Sequence, residues 1–137
     1  MIRNTLFIFV ASLLVYGCST GNSGIGLNDF ENAVSTQAGR DAIDCGALAD
    51  PNLCISEGFN NSTAAFVVNI GQGTDSLVAS GVAVKSNARV FFMSFDSDPS
   101  GGGSLNNGRI TTSECINPQS SQTGLGAFAC DEIRNAT

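Results

Sequence analysis

The chain has 137 residues, which is the length of one small domain and leaves no room for a second large core. Hydrophobic residues make up 42% of the sequence and charged residues 13%, which excludes an intrinsically disordered chain on composition. Twelve acidic against six basic side chains give a formal charge of −6, which argues against a nucleic-acid partner because phosphate binding needs a basic face.

The first 17 residues have the pattern of a signal peptide. A short segment with one cation, Arg3, precedes the apolar run LFIFVASLLV at residues 6–15. This run is too short for a membrane span, which needs about 20 helical residues. It ends in Val15-Tyr16-Gly17-Cys18, where an aliphatic, a variable and a small residue precede a cysteine. The pattern resembles the lipobox of bacterial lipoproteins.

The resemblance covers residues 1–18 only and implies a lipid anchor at Cys18. Cys18 would be diacylated on its sulfur, become the N-terminus on cleavage and usually be acylated again on its amine. Two or three acyl chains anchor a protein firmly, whereas a single chain binds a membrane only marginally. Because Ser19 rather than aspartate follows the cysteine, the resemblance implies the outer membrane of a bacterium with two membranes, facing the periplasm. The alternative is an ordinary cleaved signal peptide with Cys18 as a spare thiol.

Residues 18–27 are predicted to be a flexible tether, because the sequence STGNSGIG at 19–26 is rich in serine, glycine and asparagine. Residues 28–137 are predicted to form a single small α+β domain. Its first helix is predicted over residues 29–38, reaching at most residue 43, with Asn28 as the N-cap. Its apolar stripe has the i, i+4, i+8 spacing of one helix face, formed by Phe30, Val34 and Ala38.

A second short helix carries stronger boundary residues. Asp50 is a good N-cap, Pro51 fits the first helical position and Gly58 fits just past the end. The side chains expected to face the core are Leu53, Cys54 and Phe59.

Three strands are predicted next, over residues 65–70, 76–84 and 89–95, because the first two carry apolar residues at alternate positions and the third is apolar on both sides. The short links between them predict an antiparallel meander, and residues 110–112 are expected to add a short fourth strand. Gly81, inside the second strand, indicates either a bulge or a close backbone approach. The sequence therefore predicts an α+β fold, with two short N-terminal helices packed on a small antiparallel β-meander.

Four cysteines remain after Cys18, and an even number in a small exported domain indicates two disulfides. Three connectivities are possible, and the sequential one, Cys45–Cys54 with Cys115–Cys130, is favoured because it closes the shortest loops. A zinc site is disfavoured because the spacings C-x8-C and C-x14-C lack the close cysteine pairs of such sites.

The segment Asp96-Ser97-Asp98-Pro99-Ser100-Gly101 matches the opening D-x-D-x-S-G of a calcium loop. Oxygens of Asp96, Asp98 and Ser100 would converge on the ion. Asn107 stands where such loops supply a bidentate glutamate, so any calcium affinity is expected to be weak. The alternative is a solvated loop of turn-forming residues.

Catalysis finds little support in the sequence. The chain contains no histidine for a serine or cysteine triad, and its acidic residues form no distinctive motif. It has no tryptophan, and its only tyrosine, Tyr16, lies in the signal peptide, so the domain lacks the usual aromatic platforms for sugars. The sequence predicts a protein that is not an enzyme and has no cofactor, apart from the possible calcium ion.

Two function classes remain open. The favoured one is a membrane-anchored, non-catalytic envelope module that binds a protein partner through its sheet edge or an exposed face of the third predicted strand. That face carries Phe91, Met93 and Phe95, which are otherwise expected in the core. The alternative is an inhibitor or decoy of a basic, lysozyme-like enzyme, with Asp96 and Asp98 presented on the loop at 96–108.

Overall fold

The computed structural model describes residues 24–101, 108–125 and 127–136, and the predicted α+β fold is confirmed there. The predicted signal peptide, Cys18 and most of the predicted tether lie outside the described residues. The helices are α1 (Leu27–Ala38) and α2 (Pro51–Asn60), and a 3₁₀ turn spans Cys45–Ala47. The strands are β1 (Ile43–Asp44), β2 (Ala65–Gln72), β3 (Leu77–Val84), β4 (Val90–Asp96), β5 (Arg109–Ile116), β6 (Gln119–Leu125), β7 (Phe128–Ala129) and β8 (Glu132–Asn135). Neither helix in this part of the chain is long and apolar enough to cross a membrane.

Six strands form one sheet in the order β1-β2-β3-β4-β5-β8, and β6 and β7 form a separate two-stranded ribbon. The predicted meander corresponds to β2, β3 and β4, which pair antiparallel in continuous register. The predicted fourth strand is longer than expected. In β5, Arg109–Cys115 pair with all seven residues of β4. The sheet is mixed, since β1 runs parallel to β2 at one edge.

Each face of the sheet is covered by a different helix. Alternate residues of a strand point to opposite faces. The apolar stripe of α1 packs on one face, against Ala79, Ala83, Phe91, Met93 and Phe95. Ile55 of α2 and Phe128 of β7 pack on the other, with Ala65, Val67, Val82, Val84 and Val90.

The start of α1 was predicted two residues too late, since the helix begins at Leu27. Gly26 is the N-cap rather than Asn28, and the Asp29 carboxylate accepts a hydrogen bond of 2.7 Å from the Gly26 backbone N–H. A carboxylate in the first turn also interacts favourably with the positive end of the helix dipole. The helix ends at Ala38, as predicted, and Gly39 follows it with φ of 118°, a conformation that favours glycine.

The start of α2 is confirmed, but the role assigned to Gly58 was wrong. The Asp50 side chain accepts a 3.0 Å hydrogen bond from the Leu53 N–H, and Pro51 occupies the first turn. Gly58 lies inside the helix, where a Cβ would stand 2.8 Å from the Cβ of Ala65. The prediction for Leu53 was also wrong: its side chain is 55% exposed, and Ile55 is the buried residue of this helix.

Candidate functional site

The four cysteines of the domain form two disulfides, Cys45–Cys54 and Cys115–Cys130, which is the sequential pairing. Cys45 and Cys115 are both buried in the core beneath α2. The first bridge ties the 3₁₀ turn to α2, and the second ties β5 to the segment between β7 and β8. The disulfides therefore fix the elements on the α2 face of the sheet.

The segment predicted to bind calcium leaves the end of β4 as a tight turn. The Asp96 Oδ1 accepts a 2.9 Å hydrogen bond from the Asp98 backbone N–H. Ser97 anchors the turn to β3, since its Oγ accepts from the Leu77 N–H at 2.8 Å. Asp98 is only 5% exposed, whereas Ser100 is exposed. The two aspartates are thus drawn into local structure, and Ser100 points to solvent.

Calcium binding by Asp96, Asp98 and Ser100 stays a prediction, because the rest of the loop, residues 102–107 with Asn107, lies outside the described residues. In the described ranges, no group of three or more cysteine, aspartate or glutamate side chains is arranged to hold a metal ion. Asp98 is too deeply buried to present a carboxylate to a basic enzyme. Asp98 therefore does not contribute to the surface expected for such an inhibitor, whereas Asp96 is half-buried and the inhibitor alternative stays a prediction.

The third predicted strand does not present the proposed contact face, because its three residues lie in the core, which was the other expectation. Phe91, Met93 and Phe95 of β4 are 2%, 6% and 3% exposed and belong to the core under α1. Phe95 stacks with Phe30 of α1 at 5.8 Å between ring centroids. α1 covers this face of β4, while on the other face Val90 and Phe92 pack in the core beneath α2 and Ser94 is exposed.

The sheet edge at β2 remains a candidate contact surface. β1 pairs only with Ala65 and Phe66, although β2 continues to Gln72. Across the described ranges no strand pairs with the outer side of residues 67–72. Ile70 of β2 and Leu77 of β3 are 53% and 42% exposed nearby.

A groove that the sequence did not indicate lies at the opposite edge of the sheet. It has a volume of about 500 Å³ and is lined by α1, the β3–β4 turn, β5 and β8. Three of the six basic residues of this acidic chain line it. We name it the cationic groove and define it by Gln37, Lys85, Arg89, Glu114, Arg134 and Asn135.

The strand register brings these charges together. Phe91 of β4 lies opposite Glu114 of β5, and Glu114 lies opposite Arg134 of β8. The Arg89 guanidinium binds Glu114 through two hydrogen bonds, from Nε at 2.7 Å and from Nη2 at 2.9 Å. Arg134 is held in the same manner by Glu132, from Nε at 2.8 Å and Nη2 at 2.6 Å. Both arginines are thus fixed side-on by a carboxylate.

The pKa of Glu114 is held below its ordinary value, chiefly by its hydrogen bonds from Arg89. The positive charges of Arg89, Arg134 and Lys85 lower this pKa further, and partial burial opposes them. The pKa of Arg89 is raised by the same hydrogen bonds. Glu114 is therefore held in its charged form, which suits electrostatic binding rather than proton transfer.

The ring of Phe91 supports two of the cations. The Lys85 ammonium lies 5.3 Å from the ring centroid and the Arg89 guanidinium 5.0 Å. A cation over an aromatic face is attracted by the ring quadrupole. The buried ring thus holds both side chains over the floor of the groove.

Comparison with protein families, with curated proteins and with solved structures finds no match to this chain.

Proposed function

We propose that this protein is a lipid-anchored, non-catalytic binding module of a bacterial cell envelope, held at the outer membrane and facing the periplasm. The signal peptide, the lipobox ending in Cys18 and the serine at position 19 support the anchor and its destination. Two disulfides in a small domain are typical of exported proteins, which fold in an oxidising compartment.

The pairing of the other four cysteines carries the proposal. Cys45 pairs with Cys54 and Cys115 with Cys130, so none of these four cysteines is left to form a disulfide with Cys18. A leftover cysteine in an exported protein calls for a separate role. Acylation at the lipobox supplies that role, and the acyl chains provide the membrane attachment.

The binding role is supported by the groups that the domain offers to solvent. In the described ranges the cationic groove combines fixed guanidinium groups, a paired carboxylate and amide side chains at one edge of the sheet. Such groups recognise a charged partner without requiring a titrating acid or base.

The anchor is tested by expressing the full chain and its Cys18→Ala variant in a bacterium with two membranes. The parent protein should partition into detergent, and its N-terminal peptide should carry acyl groups by mass spectrometry. It should also fractionate with the outer membrane. Ser19→Ala is the matched control, since it changes the neighbouring residue but keeps the acylated cysteine.

Loss of acylation in Cys18→Ala alone supports the proposal. Release of the parent protein as a water-soluble, unacylated chain would refute the anchor. Crosslinking in whole cells, followed by capture of the anchored protein, tests the binding role. Capture of a basic lytic enzyme, together with inhibition of that enzyme on binding, would support the inhibitor alternative in place of the binding module.

A further inference from the structure

We infer that the cationic groove binds an acidic peptide segment of a partner protein, with Lys85, Arg89 and Arg134 taking its carboxylates. This inference rests on the proposed function, because it names the partner chemistry of the binding module. The lining contains three cations and the carboxylate of Glu114, and Glu132 adds a second carboxylate through its ion pair with Arg134. Three positive charges against two negative ones leave the groove with a net charge of +1, although the whole chain carries −6. Opposite charge favours association with an anionic partner.

The two arginines are pre-organised to receive a carboxylate. Each uses Nε and Nη2 to bind an internal glutamate, Glu114 or Glu132. Within the described residues these bonds leave the Nη1 amino group as a further pair of N–H donors. A guanidinium already fixed in place loses less conformational entropy when it binds a ligand.

The edge of the sheet explains why the ligand is an extended peptide. β8 is the last strand in the sheet order, and all four of its residues are exposed. Arg134 and Asn135, both on β8, line the groove. An extended segment lying along an edge strand can bond its backbone there while alternate side chains point into a groove. Gln37 of α1 closes the other side of the groove and offers an amide.

The position of the groove favours a protein partner over the membrane surface. The chain enters the domain at Ile25, whose carbonyl packs against Gly108, just before β5 and close to Phe95 near the end of β4. The groove lies at the start of β4 and the end of β5. Phe91, which lines the groove, lies four residues before Phe95 in β4, so the two are about 13 Å apart along the strand at roughly 3.3 Å per residue.

Binding is measured by fluorescence anisotropy with the full-length protein, purified with its native N-terminus in a mild detergent. The probe is a labelled peptide that alternates glutamate with serine, and its counterpart has glutamine in place of glutamate. The inference requires binding of the glutamate peptide alone, weakened by added salt. Lys85→Gln and Arg134→Gln should each weaken it by about two- to fivefold, and together by about tenfold.

Arg109→Gln is the matched control, because it removes the same charge from the other end of the sheet, opposite Asp96. It should leave the affinity unchanged. An equal loss in Arg109→Gln would show attraction by overall charge and overturn the inference. Absence of binding at low salt would also overturn it, as would a preference for anionic phospholipid vesicles or for a free dicarboxylate over the peptide.

Unchanged circular dichroism and melting temperature in the two single variants, the double variant and Arg109→Gln would exclude unfolding as the cause of any loss. The outcome is separate from that of the anchor test. If the groove does not bind the peptide, Cys18 is still expected to be acylated. If Cys18 is not acylated, the purified protein is still expected to bind the peptide.

Discussion

Gly81 of β3 lies directly beneath Val34 of α1, so closely that a Cβ on Gly81 would stand 2.6 Å from the Val34 Cγ2. The same Cβ would lie 3.3 Å from the Cζ of Phe30. β3 keeps continuous register with both neighbouring strands at this position. The glycine therefore marks neither a bulge nor a close approach of another backbone, since it makes room for the Val34 and Phe30 side chains of α1.

Replacing Gly81 by alanine should destabilise the domain by about 1–3 kcal/mol, because the added methyl group overpacks a buried helix–sheet contact. The free energy of unfolding in urea measures this loss. Gly71→Ala, on the neighbouring strand β2, is the control. Its Cβ would meet the Val78 Cγ2 at an ordinary 3.5 Å, so its stability should not fall. Equal losses in both variants would mean that strand flexibility, and not α1 packing, determines the effect.

Local signals at helix ends were predictable from the sequence, and tertiary contacts were not. Asp50 and Pro51 act within one turn of chain, so their residue types alone locate the start of α2. Gly58 has the residue type of a helix end, but it lies inside α2. A glycine stands there because Ala65 of β2 leaves no space for a side chain. A sequence pattern does not distinguish these two uses of glycine.

The cationic groove could not be predicted for a similar reason. Lys85, Arg89, Glu114 and Arg134 are distant in sequence and meet only through the register of β4, β5 and β8. β8 has the sequence EIRN and is exposed along its length, so it has no apolar alternation that would reveal a strand. The sequence offers only a weak indication of the groove: Lys85 directly follows one predicted strand, and Arg89 begins the next.

The N-cap of α2 gives a second stability test. Asp50→Ala should cost about 1 kcal/mol, because the Leu53 N–H loses the side chain that accepts its hydrogen bond. Asp50→Asn keeps an acceptor oxygen and should retain most of the stability. Chemical unfolding of both variants decides the point, and an equal loss in Asp50→Asn would mean that the negative charge, rather than the hydrogen bond, is responsible.

The two disulfides should each stabilise the domain by about 2–4 kcal/mol, since each restricts the unfolded chain. Their loops are similar, with sequence separations of 9 and 15, so the loop-closure contributions should differ by less than about 1 kcal/mol. Replacing each pair by alanine, measured by thermal unfolding, tests this expectation. Peptide mapping without reduction checks the pairing itself, and a Cys45–Cys115 peptide would contradict it.

Glu114 should show the strongest response to the loss of Arg89. Because the folded pKa of Glu114 lies below its ordinary 4.5, its ion pair contributes stability above about pH 4.5 and loses that contribution as the pH falls through the folded pKa. The difference in unfolding free energy between the parent protein and Arg89→Gln should therefore shrink in acid.

The carboxyl carbon shift of Glu114, followed by NMR titration, measures this pKa directly. It should rise in Arg89→Gln, because the hydrogen bonds and the charge of Arg89 are lost while the partial burial that raises the pKa of Glu114 remains. Arg109→Gln should leave it unchanged, since Arg109 lies at the other end of β5. A Glu114 pKa that is the same in the parent protein and in Arg89→Gln would mean that the two side chains do not pair in solution. The fixed orientation of the Arg89 guanidinium in the cationic groove would then lose its basis.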